Sequence, residues 1–199
     1  YGSDLDILVS DKDEEKLKSF LIQNPGDIQI DVWNVSAPSY SGISYFIPRL
    51  AERILQTSID GPGGSRIPGK KEALLSLIYH TIYHKGLNSG IVSTTSGAEC
   101  LDKPNNKYIF EINNLKRELD IEIGSTMEEL DDFLYAEGWQ PGIDTMAKIA
   151  QWNEWVTLRY FSDNTVSDNS ISVFILREIA VCNGVVDLVK ELIKKENGY

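Results

Sequence analysis

Asp4-Leu5-Asp6-Ile7-Leu8-Val9 alternates carboxylates with aliphatic side chains, the pattern of a strand with one polar and one apolar face. Asp4 and Asp6 share the polar face, while Leu5, Ile7 and Val9 enter the core. Residues 28–35 repeat the pattern, with Ile28, Ile30 and Val32 on one face and Gln29, Asp31 and Trp33 on the other. Between the two, Ser10 and Asp13 are placed to cap a helix whose apolar face is Leu17, Phe20 and Leu21, and Asn24-Pro25-Gly26 ends it. A strand, a helix and a second strand within roughly 35 residues form one α/β unit.

After this unit the pattern changes. A Pro/Ser/Tyr-rich connection leads to a short helix near 48–55, and then to the Gly-rich loop Asp60-Gly-Pro-Gly-Gly-Ser-Arg-Ile-Pro-Gly69, the best boundary in the chain. Beyond Lys70 the periodicity is helical. Leu74, Leu75, Ile78 and Ile82 mark a helix over 71–85, and Ile112, Leu115 and Leu119 one over 108–119. Ser125 and Thr126 followed by Glu128 and Glu129 signal a capped helix reaching about Glu137, stopped by Gly138-Trp-Gln-Pro-Gly142. Further helices are expected over 143–160, 171–182 and 185–196, with Gly184 separating the last two. The fold class is therefore α+β: a small mixed sheet with helices over 1–60, then a mostly helical region over 61–199.

Composition limits the partners. With 19 Lys and Arg against 30 Asp and Glu, the net charge is -11, so long DNA or RNA would bind against the overall field. A small nucleotide is compatible, because a cation and a few local basic groups neutralise its phosphates. Cys100 and Cys182 have neither disulfide-framework nor zinc spacing, which points to reduced thiols. No apolar run is long enough for a membrane span and nothing resembles a signal peptide, so the expected location is cytoplasmic. The sequence opens at Tyr1 inside a motif, as expected for part of a larger multidomain chain.

Paired carboxylates on one strand face, with Asp31 on the next, are the layout of a divalent-cation site. Oxygen-only ligands suit Mg²⁺ or Mn²⁺ rather than zinc. Ser3-Asp4-Leu5-Asp6-Ile7-Leu8-Val9 followed by Asp31 resembles the nucleotidyltransferase fold superfamily, which includes minimal bacterial nucleotidyltransferases, aminoglycoside nucleotidyltransferases and polymerase-beta-like enzymes. The resemblance implies that Asp4 and Asp6 are shared ligands of two metals that clamp a nucleoside triphosphate. It makes Asp31 the third ligand, which helps deprotonate an acceptor hydroxyl. Family members carry a Gly-Ser turn well upstream of the acidic pair, where it cradles the triphosphate. Here Gly2-Ser3 directly abuts Asp4, so either that turn lies outside this sequence or this member binds something else. Ile67-Pro-Gly-Lys-Lys-Glu and Leu77-Ile-Tyr-His-Thr-Ile-Tyr-His-Lys-Gly86 are similar to segments of nucleotidyltransferase-like domains attached to microbial surface-polysaccharide proteins, which implies a polysaccharide-biosynthesis setting.

Other features have a structural and a functional reading. His80 and His84, at i and i+4, are either a half-buried structural pair, a contact to a phosphate or sugar hydroxyl, or a metal site; Lys85 beside them favours an anion. HExxH zinc chemistry is excluded because Thr81 stands where Glu is required. Arg49, Arg53, Arg66, Lys70 and Lys71 are either solvated charge or phosphate contacts beside the Gly-rich loop, which fits no Walker pattern. Trp139, Trp152 and Trp155 read most simply as helical core, with a sugar-stacking platform as the alternative.

The expected activity is metal-dependent nucleotidyl transfer to a small hydroxyl acceptor such as a sugar or sugar phosphate. Asp4, Asp6 and Asp31 carry the metal chemistry, and Ser3, Arg66, Lys70, His80, His84 and Lys85 are candidate substrate contacts. One alternative is a glycosyltransferase or glycan-phosphate transferase that binds a nucleotide sugar through the same DxD metal site. Another is a catalytically inactive interaction domain that keeps the fold.

Overall fold

The computed structural model describes residues 4–36, 42–98 and 106–162. Tyr1–Leu158 form one compact unit, so the expected head and the start of the helical region pack together. The architecture is mixed helix and strand with two small sheets, an α+β arrangement.

β1 (Asp4–Val9) and β2 (Gln29–Asn34) pair in parallel, joined by α1 (Glu14–Gln23). The register sets Asp6 opposite Asp31 and Leu8 opposite Trp33. Opposed residues of neighbouring strands share a face, so Asp6, Asp31 and Trp33 stand on one side of the sheet. The ends of this unit are tied by Asp11, whose carboxylate accepts from the Val35 and Ser36 backbone N–H groups at 3.0 and 3.1 Å, and by Asn34, whose amide donates to Glu14 on α1.

α2 (Pro48–Gln56) starts with proline at its first position, where no N–H is needed, and buries Leu50, Ala51 and Ile54. The Gly-rich loop is a tight antiparallel hairpin of β3 (Ile59–Asp60) and β4 (Arg66–Ile67), closed by Gly61 N–H donating to the Ser65 carbonyl at 2.8 Å.

α3 (Lys70–Tyr79) is the core helix, packed by α2, α4 (Lys107–Leu119) and α5 (Met127–Ala136). Leu74, Leu75 and Ile78 on it are fully buried, each stabilising the fold by about 1.5–3 kcal/mol through lost water contact. The expected helix over 71–85 changes character at His80, where a π-helical segment runs to Lys85. α5 has the expected capping box: Thr126 accepts from Glu129 N–H, and Glu129 accepts from Thr126 N–H at 2.9 Å. The single helix expected over 143–160 is two, α6 (Ile143–Ile149) and α7 (Glu154–Tyr160). The break is made by Asn153, which caps α7 by accepting from Val156 N–H at 3.1 Å. Cys100, Cys182 and the helices expected over 171–182 and 185–196 lie outside the described residues. Among the described residues no helix is long and apolar enough to cross a membrane.

A candidate site where the carboxylate strands meet the histidine helix

Asp6 and Asp31, opposed on adjacent strands, have backbones about 4.8 Å apart. Each carboxylate has one oxygen engaged. Trp33 Nε1 donates to Asp6 Oδ1 at 2.8 Å, and Gln29 Nε2 donates to Asp31 Oδ1 at 3.2 Å. Among the described residues the other oxygen of each has no hydrogen-bond partner. Ser3 and the side chain of Asp4 lie outside the described residues; the Asp4 backbone pairs with Gln29.

The wall beside these carboxylates is aromatic. Tyr45 lies between Trp33, with ring centres 4.4 Å apart, and His84, stacked at 4.1 Å and 10°. Its hydroxyl is hydrogen-bonded to His80 Nδ1, and His80 Nε2 lies 3.4 Å from the Tyr108 hydroxyl. His84 Nε2 sits 2.7 Å from the Tyr45 carbonyl, an acceptor only, so the proton is on Nε2. Burial pushes the Tyr45 phenol well above its ordinary range, and the nearby Asp6 and Asp31 charges add to the effect. Two clusters distant in sequence therefore meet: the strand carboxylates and the histidine pair, with Tyr45 between them.

His80 and His84, four residues apart on one helical face, have ring centres 5.8 Å apart, and both lie in the π-helical segment. Burial first, then the positive charges of each other, Lys85 and Lys107, hold His80 down to about 3. Burial lowers His84 as well, against the opposing effect of its bond to the Tyr45 carbonyl. Both are neutral at physiological pH. Their hydrogen bonds run to Tyr45 and Tyr108, which makes the pair a brace for Tyr45. Lys85 is exposed at the end of the segment.

The basic residues beside the Gly-rich loop are laced into local contacts. Arg66 bonds Asp60 at 2.6 Å and the Ser58 carbonyl of its own hairpin. Lys70 pairs with Glu118 at 3.1 Å, and lies ten residues, about 15 Å, along the helix axis from His80. Lys71 pairs with Glu137, Arg53 with the buried Glu72, and Arg49 lies over the Trp139 ring. Of the tryptophans, Trp155 is fully buried whereas Trp152 is exposed, so the expected core cluster is in fact one core residue with looser neighbours.

Tyr45 is the residue that sequence reasoning missed, set in a Pro/Ser/Tyr-rich connection with no periodicity. Trp33 carried a signal, because it follows Asp31 by two on the same strand face. Among the described residues, His, Cys, Asp and Glu side chains do not gather in threes around one point. The donor chemistry at the sheet is two carboxylates with an open oxygen each, which suits a hard divalent cation. Comparison of the chain with family models, with curated proteins and with solved structures found no match.

Proposed function

We propose that this chain is a metal-dependent nucleotidyltransferase acting on a small hydroxyl acceptor such as a sugar or sugar phosphate, in a cytoplasmic polysaccharide-biosynthesis setting. The observation that carries this reading is the register of Asp6 opposite Asp31 on adjacent parallel strands, each with one carboxylate oxygen open. Asp4, two residues before Asp6 on the same strand, is the third member of the set. A bound Mg²⁺ or Mn²⁺ supplies charge neutralisation at the phosphates of a nucleotide. Asp4 and Asp6 would hold it, and Asp31 would complete its ligands and help deprotonate the acceptor hydroxyl, which attacks the α-phosphorus as the bond to the leaving pyrophosphate breaks. Trp33, which donates to Asp6, packs against Tyr45 beside these carboxylates.

The test is pyrophosphate release from a panel of nucleoside triphosphates, with Mg²⁺ or Mn²⁺ and sugar or sugar-phosphate acceptors. Metal-dependent release is expected, lowered about 100-fold or more in Asp31→Asn and abolished in Asp6→Asn. Nucleoside diphosphate released from a nucleotide sugar instead would replace this reading with glycosyl transfer through the same carboxylates.

A second reading, an interaction domain without turnover, is favoured by the apolar surface of the α/β unit. Leu5, expected to enter the core, is instead more than half exposed there, as are Phe20, Ile22 and Ile28, at 51%, 59%, 81% and 66%. Activity unchanged in Asp6→Asn, or failure to bind any nucleotide with metal present, would favour it.

A further inference from the structure

We propose that Trp33 is a positioning residue for Asp6, fixing the carboxylate in the orientation that receives the cation. This rests on the reading of Asp6 as a metal ligand. The backbone of Trp33 is opposite Leu8, and its side chain reaches diagonally back along the sheet to place Nε1 2.8 Å from Asp6 Oδ1. An indole N–H only donates, so this bond holds one particular oxygen of Asp6 and leaves Oδ2 as the one without a partner among the described residues. Outer hydrogen bonds of this kind orient carboxylate ligands before the ion arrives.

The indole is itself held. Tyr45 covers one face of it, and Tyr45 is fixed by the stacked His84 ring, by the His84 Nε2–H bond to its carbonyl, and by the His80 bond to its hydroxyl. Rotation of Trp33 away from Asp6 would break the contact with Tyr45. The histidine pair thus acts on Asp6 through Tyr45 and Trp33, which gives the brace a purpose at the carboxylate face.

The test removes the N–H and keeps an aromatic ring. Mn²⁺ binding to the whole chain, followed by loss of the free-ion paramagnetic resonance signal, is compared in wild type, Asp6→Asn and Trp33→Phe. Trp33→Phe is expected to weaken Mn²⁺ about 10- to 100-fold, with an unfolding midpoint near that of wild type. A Trp33→Phe affinity equal to wild type, with Asp6→Asn having lost binding, overturns the positioning role and leaves the metal site standing. A wild type that binds no Mn²⁺ at millimolar concentration overturns both. A second measurement does not depend on that variant folding: fluorine resonance of the wild-type chain carrying 5-fluorotryptophan at its four tryptophans. One line should shift on addition of Mg²⁺ in wild type and stay fixed in Asp6→Asn; four unmoved lines in a chain that binds the ion overturn the proposal.

Discussion

Each of the two histidines carries a cost that appears only below neutral pH. In the folded protein His80 is held near 3 against an ordinary value of 6.5, and His84 is lowered too, so the unfolded chain binds their protons first. Above about pH 7 both states are neutral and nothing depends on them. As pH falls below 6.5, each depressed histidine removes ~1.4 kcal/mol of stability per pH unit until its folded value is reached. Urea unfolding at pH 7.5 and 5.5 should show this slope in wild type, and His80→Gln should flatten it by ~1.4 kcal/mol at pH 5.5. Equal slopes would mean that His80 is already open to protonation. Glu128 acts in a separate, lower window. Burial alone would raise its carboxyl, yet Ser93, Thr94, Thr95 and Trp155 all donate to it and hold it well below its ordinary range. Glu128→Gln turns an amide N–H₂ towards donors and should cost about 3 kcal/mol in urea unfolding at neutral pH. The sequence showed Glu128 only as a first-turn helix residue, because Ser93, Thr94 and Thr95 sit on a loop that carries no periodic signal and Trp155 on a helix distant in the chain.

The π-helical segment is the element on which the site depends. It carries both His80 and His84, and it leaves the Ile82 and Tyr83 carbonyls to be satisfied by the Asn153 amide at 2.8 and 3.0 Å. The segment ends at Gly86, with φ 55° and ψ -135°, where a Cβ would stand 2.6 Å from Asn153 Oδ1. Gly86→Ala therefore combines backbone strain with displacement of a buried, hydrogen-bonded amide, and should lower stability by about 3 kcal/mol or more in thermal or urea unfolding. A change below about 0.5 kcal/mol would show that the turn relaxes freely. Most elements were legible from residue patterns. The strand alternation gave β1 and β2, the Asn24-Pro25-Gly26 stop ended α1, and Thr126 with Glu129 marked the start of α5. What was not legible rests on tertiary contacts. Asn153 both donates to the carbonyls freed in the π turn and accepts from Val156 N–H at the start of α7, and a 3.6-residue repeat shows neither contact.

At the scale of the whole molecule, an acidic chain places its candidate site where the small parallel sheet meets the core helices. Asp4 and Asp6 were visible in the sequence as a pair with Asp31 as the third carboxylate, and His80 and His84 as another pair. The register of Asp6 opposite Asp31 and the meeting of these carboxylates with the histidines through Tyr45 were not, because the segments lie far apart in the chain and only the packing of the unit joins them. With a net charge of -11, the protein has little general attraction for a polyanion, so nucleotide binding should require the divalent ion. Chelation of metal is expected to abolish triphosphate binding in calorimetry, and re-addition of Mn²⁺ to restore it. The most direct measurement is anomalous diffraction from crystals grown with Mn²⁺ and a non-hydrolysable nucleoside triphosphate. A manganese peak is expected within about 2.5 Å of carboxylate oxygens of both Asp6 and Asp31. Saturating Mn²⁺ with no peak there, or with a peak only elsewhere on the molecule, would contradict it.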